Sequence, residues 1–318
     1  MFDPFLEEQK QRLSAQNYAE YLWRWGEDMS HSADFKREAF LGYKPGKQDV
    51  IVSTYPKSGT TWMLQLAHQI SFLGESDFEH QYDVMPWPDK LIPLHNIELD
   101  DMSVAEASPS NKRIIKSHLE AEFIPYSPEA KYISVIRDPK DMLVSMILFE
   151  NGFNERLCGG SVPVDAFVQS FQSERFQYQS WPAFIDSWWR LRERDNVFLI
   201  TFEEMKADPI GLISQVADFL GVKLTPPQMF KVAEKTSFAY MKANDHKFAQ
   251  PAWGTGNVPL VRSGKTGNSK ELLSAEQQQQ IDDFCLQELT RLGSDFPYQE
   301  AYFQQQSTQE ASAVLTAA

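Results

Sequence analysis

The chain has 318 residues, 42% hydrophobic and 13% aromatic, enough to bury a large core, and its 30 Lys+Arg against 44 Asp+Glu leave a net charge of −14. So acidic a balance argues against partners held by a broad basic face, such as DNA, a heparin-like polysaccharide or an anionic membrane, but leaves room for a nucleotide held by a local cluster of cations and amides. Only Cys158 and Cys285 are present, with no CxxC and no HExxH, so neither a disulfide framework nor a zinc site is expected.

The opening, MFDPFLEEQKQRL, is too charged for a secretory signal, and no run of about eighteen apolar residues follows; a soluble, cytoplasmic protein is expected. Residues 1–46 read as a helical lead-in (YAEYLWRW) followed by a loop. From there strand and helix patterns alternate. Val50–Tyr55 is a β-branched and aromatic run that reads as a buried strand, PKSGTT as a tight loop, and 61–73 as a helix. RIIKSH at 113–118 and KYISVI at 131–136 are further strands. The second runs into RDPKDMLVSMILFE, where Met142, Leu143, Met146 and Ile147 have helical spacing. A long helix, AFIDSWWRLRER, leads to strand VFLITF at 197–202, and 208–220 is an amphipathic helix ended by Gly221.

Residues 244–269 are rich in Gly and Pro with little periodicity, which suggests a functional, lid-like loop. Ser274 and Gln277 fit a capping box that opens a final helix through Leu292. The polar, small-residue tail, 303–318, is expected to be disordered. Repeated strand–helix units predict one α/β domain over 1–302: a P-loop-type central parallel sheet with helices on both faces. In such sheets ligands bind at the carboxyl ends of the strands. Lys57, His118 and Arg137 each follow one of the predicted strands.

The stretch VIVSTYPKSGTTW resembles a phosphate cradle with its lysine displaced. Aligned on GxxxxGK[ST], Thr54 stands for the first glycine, Gly59 for the second and Thr60 for the lysine, while Lys57 lies before the turn. A strand–loop–helix of this kind leaves the amides of Ser58, Gly59, Thr60, Thr61 and Trp62 at a helix N-terminus, where the dipole favours an anion. Gly59 permits the loop conformation, and the two threonine hydroxyls add donors. The plainer alternative is a turn in which Ser and Thr only cap the helix.

Read with YPKSGTTW, the segments IKSHL (115–119), VIRDPKDMLVSM (135–146), TFEEM (201–205), KTSFAYM (235–241) and VRSGKTGNSKE (261–271) stand in the order found in the cytosolic sulfotransferases, and the chain resembles that family over residues 40–290. The resemblance implies 3′-phosphoadenosine-5′-phosphosulfate (PAPS) as sulfuryl donor, 3′,5′-ADP as product, no required metal, and a small-molecule acceptor. Lys57 is implied as the cation at the oxygen bridging phosphate and sulfate, where charge develops during transfer. Its forward place in the loop suits that oxygen better than a β/γ-phosphate pair. His118 is implied as general base, a task for which imidazole is suited, with Lys116 as a supporting cation. Arg137 and Ser145 are assigned to the 3′-phosphate, joined by Arg262 and the Gly264 amide. Trp62, Thr236 and Phe238 match the positions that hold adenine. Lys140 and Asp141 read as ordinary solvated charges at a helix start.

The chain departs from the family pattern in several places. Ser263 stands where a lysine is usual, so one cation is lost, and Phe202 stands where a tyrosine commonly offers a hydroxyl. Ser269 replaces the usual tryptophan. The dimerisation pattern is degenerate, running through Lys270, Ser274, Ala275 and Gln279, so a homodimer does not follow from it. Met85, Trp87, Phe149, Phe153, Phe248 and Trp253 are candidate acceptor-pocket residues by position. A P-loop kinase or NTP hydrolase, and a nucleotide-binding protein without catalysis, remain as alternatives; the displaced lysine disfavours the first and the Lys57/His118 pair the second.

Overall fold

A computed structural model of the chain describes residues 2–28, 32–90, 95–173, 176, 179–251, 257–261, 264 and 266–303. Three helices, α1 (Phe2–Ser14), α2 (Tyr18–Asp28) and α3 (Ala33–Glu38), precede strand β1 (Asp49–Ser53) and helix α4 (Thr60–Ser71). The chain continues through α5 (Ser103–Ala107), β2 (Arg113–Ser117), β3 (Lys131–Ile136), α6 (Pro139–Cys158), α7 (Val164–Phe171) and α8 (Trp181–Trp189). Then come β4 (Val197–Thr201), α9 (Phe202–Ala207), α10 (Pro209–Leu220), α11 (Pro226–Thr236) and α12 (Phe238–Ala243), and finally β5 (Gln250–Pro251), β6 (Asn257–Val258), α13 (Ala275–Leu292) and α14 (Tyr298–Tyr302).

The first four strands pair in the order β2-β1-β3-β4, all parallel, and β1 and β2 are buried along their whole length. Continuous burial is what a parallel sheet covered on both faces requires, and it is why these strands read as apolar runs rather than alternations. Alternate residues feed two cores. Val50, Val52, Ile114, Ile133 and Val135 meet Met63, Leu66, Ile213 and Val216 of α4 and α10, while Ile51, Ile115, Tyr132 and Ile136 meet residues of α6, α7, α8 and α13. Leu13, Tyr21 and Leu22 of the lead-in belong to this second core. The chain leaves β1 toward β2 on one side and later reaches β3 on the other, so the strand order reverses beside β1, at the switch point of the sheet.

The long helix expected over AFIDSWWRLRER stops at Trp189; turns follow, with the Val197 amide donating to the Arg194 carbonyl and Arg192 pairing with Asp295. No glycine or proline marks that stop. The local pattern carries no stop signal at that point. The 244–269 stretch, read as a loop, holds the antiparallel β5–β6 pair and single 3-10 turns at 245–247 and 268–271 among its described residues. Trp253, Arg262 and Ser263 lie outside the described residues, as does the tail from 304. The capping box at Ser274 and Gln277 forms as the sequence indicates, and α13 ends at Leu292.

Candidate active site

Beyond β1, the Ser58 amide donates to the Tyr55 carbonyl (3.2 Å), closing a turn with Pro56 and Lys57 at its corners. Lys57 has φ +66°, left-handed backbone at a position where such turns ask for glycine. A lysine there costs about 1 kcal/mol or more against glycine, and backbone strain of this kind clusters at functional sites. The Arg137 Nη1 donates to the Lys57 carbonyl (2.8 Å), tying the end of β3 to the loop and holding that conformation. The Lys57 Nζ stands 3.8 Å from the centroid of the Phe149 ring.

Gly59 is the residue before α4, with φ +101°, and a Cβ placed on it would stand 2.7 Å from the Phe202 ring. Only glycine fits. Having no side chain, it also leaves the first amides of α4, those of Thr60, Thr61 and Trp62, without a side-chain cap or an intrahelical acceptor. Ser58 is fully buried and its hydroxyl has no hydrogen-bond partner among the described residues. A buried donor of that kind, beside an uncapped helix start, is what a phosphate or sulfate oxygen would satisfy. The Thr60 hydroxyl, expected to add a donor, is instead paired with the Thr54 hydroxyl.

His118 follows β2 directly. Its Nδ1 lies 2.8 Å from the Thr54 carbonyl, which can only accept, so Nδ1 carries the hydrogen and a neutral ring has its lone pair on Nε2. The Trp87 ring stands edge-on to the imidazole at 5.6 Å. The His118 amide donates to Asp89 Oδ2 (2.8 Å) and its carbonyl accepts from Gln179 (2.5 Å), so main chain and ring are both fixed. Burial pushes the Asp89 carboxyl up to about 6, against hydrogen bonds from the His118 amide and Ser117. Lys116 is also buried, its Nζ 3.2 Å from the Trp87 ring centroid and donating to the Tyr82 hydroxyl at 3.3 Å. Burial pushes its pKa down to about 7; Asp89 pulls it back up and Lys57 lowers it further.

Arg137, past β3, is buried, with its guanidinium 4.5 Å from the Phe202 ring centroid. Phe202 also stands edge-on to Trp62 at 5.9 Å, so the ring in the place of the family's tyrosine packs against both. Ser145 sits half-buried on the second turn of α6. Phe238 is 46% exposed, a flat ring at the surface, and Gly264 packs so closely on it that a Cβ would come within 2.7 Å. Thr236 is buried, with its hydroxyl turned back on the Val232 carbonyl of its own helix (2.8 Å). Arg262 is outside the described residues.

Of the acceptor-pocket candidates, Trp87 touches His118, Phe149 lies under Lys57, and Phe153 stands edge-on to Phe149 at 5.0 Å. Met85 and Phe248 are buried in the α4-side core.

The reading of Lys140 and Asp141 as solvated charges is overturned. Lys140 is fully buried and pairs with Asp282, and lies 3.4 Å from Asp138; Asp141 is buried and accepts two main-chain amides. Desolvation of this lysine is offset by two carboxylates, which keep its pKa above the usual value. Sequence reasoning also passed over Asp89 and Glu203, and saw in Asp138 no more than a surface partner for Arg137. Asp138 caps α6 through the Lys140 amide (2.8 Å), and Asp before Pro at a helix start is a readable cap signal. Glu203, raised to about 7 by burial with Asp138 and Asp141 adding to it and Arg137 opposing, carries no comparable signal.

The sulfotransferase domain model matches residues 47–293. Sulfotransferase 2A1 of Rattus norvegicus is 32% identical over 248 residues, covering 74% of this chain and 82% of that one. The 3-beta-hydroxysteroid sulfotransferase of Cavia porcellus is 26% identical over 279 residues, 85% of this chain and 93% of its own. Among solved structures, mouse sulfotransferase SULT7A1 complexed with PAP (3′,5′-ADP) superposes with a TM-score of 0.59 at 25% identity, over 81% of this chain and 89% of that one. The chain belongs to the sulfotransferase family and is a PAPS-dependent sulfotransferase.

Proposed function

We propose that the carboxyl edge of the sheet is where this chain transfers the sulfuryl group of PAPS to a hydroxyl, phenol or amine of a small, mostly apolar acceptor. The observation that carries the reading is the junction of β1 and β2. The Thr54 carbonyl fixes the tautomer of His118, and three residues on, a strained turn commits Lys57 to the same edge. The residues fit the donor: an uncapped helix start, the unsatisfied Ser58 hydroxyl and a glycine that admits no Cβ form the cradle, and the exposed Phe238 ring offers adenine a face.

Bound there, the donor supplies a sulfuryl group on a 5′-phosphate leaving group. The chain's own residues do the rest. Lys57 sets its ammonium toward the bridging oxygen, where negative charge grows. The His118 Nε2 takes the proton of the acceptor hydroxyl as its oxygen attacks sulfur in line. Lys116, buried beside both, keeps the edge electropositive in the fraction that is charged. Arg137, Ser145, Arg262 and the Gly264 amide hold the 3′-phosphate; Ser58 to Trp62 hold the 5′-phosphate; Trp62, Thr236 and Phe238 flank adenine. No metal is part of this reading.

A relative named for 3-beta-hydroxysteroids, together with the aromatic residues Trp87, Phe149 and Phe153 near His118 and Lys57, makes a hydroxylated ring system the first acceptor to try. Residues 1–302 are read as one domain acting in the cytoplasm, supported by the packing of the lead-in helices on the sheet and by kinship with cytosolic-type enzymes. Among the described residues no helix is long and apolar enough to cross a membrane. The test is transfer of radiolabelled sulfate from PAPS to a panel of hydroxysteroids, phenols and amines. Turnover that collapses in Lys57→Ala is expected. Binding of 3′,5′-ADP with no transfer to any acceptor, or magnesium-dependent ATP hydrolysis, would overturn the reading.

A further inference from the structure

Among the described residues from Leu260 to Gly267 there is no helix or strand, yet Gly264 here is one of the positions that the proposed function gives to the 3′-phosphate. A chain without a ladder of its own must be held by something else to present a fixed face. Two carboxylates take hold of it, one at each end. Asp245 Oδ1 accepts from the amides of Leu260 (3.2 Å) and Val261 (2.8 Å). Asp141 accepts from Gly267 on Oδ2 (2.6 Å) and from Ser269 on Oδ1 (2.8 Å). Between them, Lys206 donates to the Gly264 carbonyl, and Gly264, at φ +59°, rests on Phe238.

Asp141 is 2% exposed and stands on the first turn of α6, four residues after Arg137. By charge alone it is out of place, since a carboxylate near an incoming phosphate repels it. Its bonds give another account. It spends both oxygens on the loop's main chain, and charge-assisted bonds to two amides fix where that loop sits relative to Arg137.

We propose that Asp141, with Asp245 on the far side, is a positioning residue: a main-chain clamp that holds Leu260 and Val261 on one side and Gly267 and Ser269 on the other, and so sets the Gly264 amide for the 3′-phosphate of the donor. The proposal rests on the donor site of the proposed function, and it predicts a sign. Asp141→Asn removes the negative charge but sets an NH₂ against one of the two amides, so one bond is lost and a donor faces a donor. A clamp loosened in this way weakens the nucleotide; a merely repulsive carboxylate, once neutralised, tightens it.

The experiment is calorimetric titration of wild type and Asp141→Asn with 3′,5′-ADP and with 5′-AMP, which lacks only the 3′-phosphate. The expected result is a loss of about tenfold for 3′,5′-ADP and less than about twofold for 5′-AMP. Unchanged or tighter 3′,5′-ADP binding, or equal losses for both nucleotides, overturns the clamp while the donor site stands. A wild type that does not prefer 3′,5′-ADP to 5′-AMP overturns the donor site and the clamp with it. Should Asp141→Asn not fold, Asp245→Asn serves in the same comparison. Hydrogen exchange of the wild type adds a test that needs no variant: the Gly267 and Ser269 amides should exchange slowly, and fast exchange of both rules the clamp out.

Discussion

At the amino ends of β1 and β2, Asp49 and Arg113 stand opposite each other in register, and four residues on, at the carboxyl ends, so do Ser53 and Ser117. The first pair is the centre of a closed network. Asp49 accepts from Arg113 Nε (2.9 Å), the Tyr43 hydroxyl (2.6 Å) and the Gly46 amide (2.8 Å), while Arg113 also donates to the Asp101 carbonyl and to Tyr43. Around and beyond the second pair the rule changes. A buried Ser58 hydroxyl and one Asp89 oxygen lack hydrogen-bond partners among the described residues, a lysine is buried against tryptophan, and another lysine holds left-handed backbone. One end of the sheet satisfies its polar groups internally. The other leaves a few of them unsatisfied or strained, which is stable only if the first end and the core make up the difference.

The contrast breaks most sharply under substitution at each end. His118→Ala should lower turnover by about 10²- to 10⁴-fold, the range of a lost general base. Binding of 3′,5′-ADP and the urea midpoint should hardly move. A variant that turns over normally would remove the base from the mechanism. Next in size, Arg113→Ala leaves Asp49 buried beside an empty place and should cost about 3–5 kcal/mol of stability, as removing one partner of a buried ion pair does. Urea unfolding reads that loss, and turnover per folded molecule should be unchanged. If activity fell while stability held, the amino end would be more than a staple.

How much of this was legible in the sequence follows the same division. The strands were readable because a doubly covered parallel sheet demands uninterrupted Val and Ile, and the turn after β1 was readable because Pro56 and Gly59 punctuate it. Lys57, His118 and Arg137 were readable as strand-end residues, and the structure brings all three to one edge of the sheet. What escaped notice was burial of charge. Lys140 and Asp141 look the same on paper whether solvated or locked between α6, α13 and the 267–269 turn, because their partners come from 126 or more residues away. Asp89 gave no signal for the same reason: its role depends on the fold bringing residue 118 beside it.

The buried charges give the comparison a pH dependence. Burial pushes the Lys116 ammonium down to about 7 in the folded protein, against about 10.4 for an unfolded lysine. Between these values the unfolded chain holds a proton that the folded one has released, so stability rises with pH across that window. The cost of the buried ammonium is fully present below about 7. Asp89 acts in the opposite sense at lower pH: at about 6 folded against about 3.9 unfolded, it keeps its proton longer in the folded state, so stability falls as pH climbs through that interval. Lys116→Met removes the lysine's share. Its stabilisation over wild type should therefore be greatest near pH 6 and shrink toward pH 10, read from urea unfolding at several pH values. Parallel curves for the two proteins would show that Lys116 keeps an ordinary pKa.

The smallest effect expected is also the most selective. Ser145 lies eight residues after Arg137, half-buried on the second turn of α6. Alanine is at least as good a helix former, so Ser145→Ala should leave stability unchanged or raise it by a few tenths of a kcal/mol. If the hydroxyl serves the 3′-phosphate, the variant should lose about 0.5–1.5 kcal/mol of 3′,5′-ADP binding, roughly two- to tenfold, and nothing with 5′-AMP. The two nucleotides differ by one phosphate, so their difference isolates this contact from any shift in the rest of the edge. A stability loss without that selectivity would move Ser145 to the company of Arg113, among residues that hold the sheet together rather than those it holds in readiness.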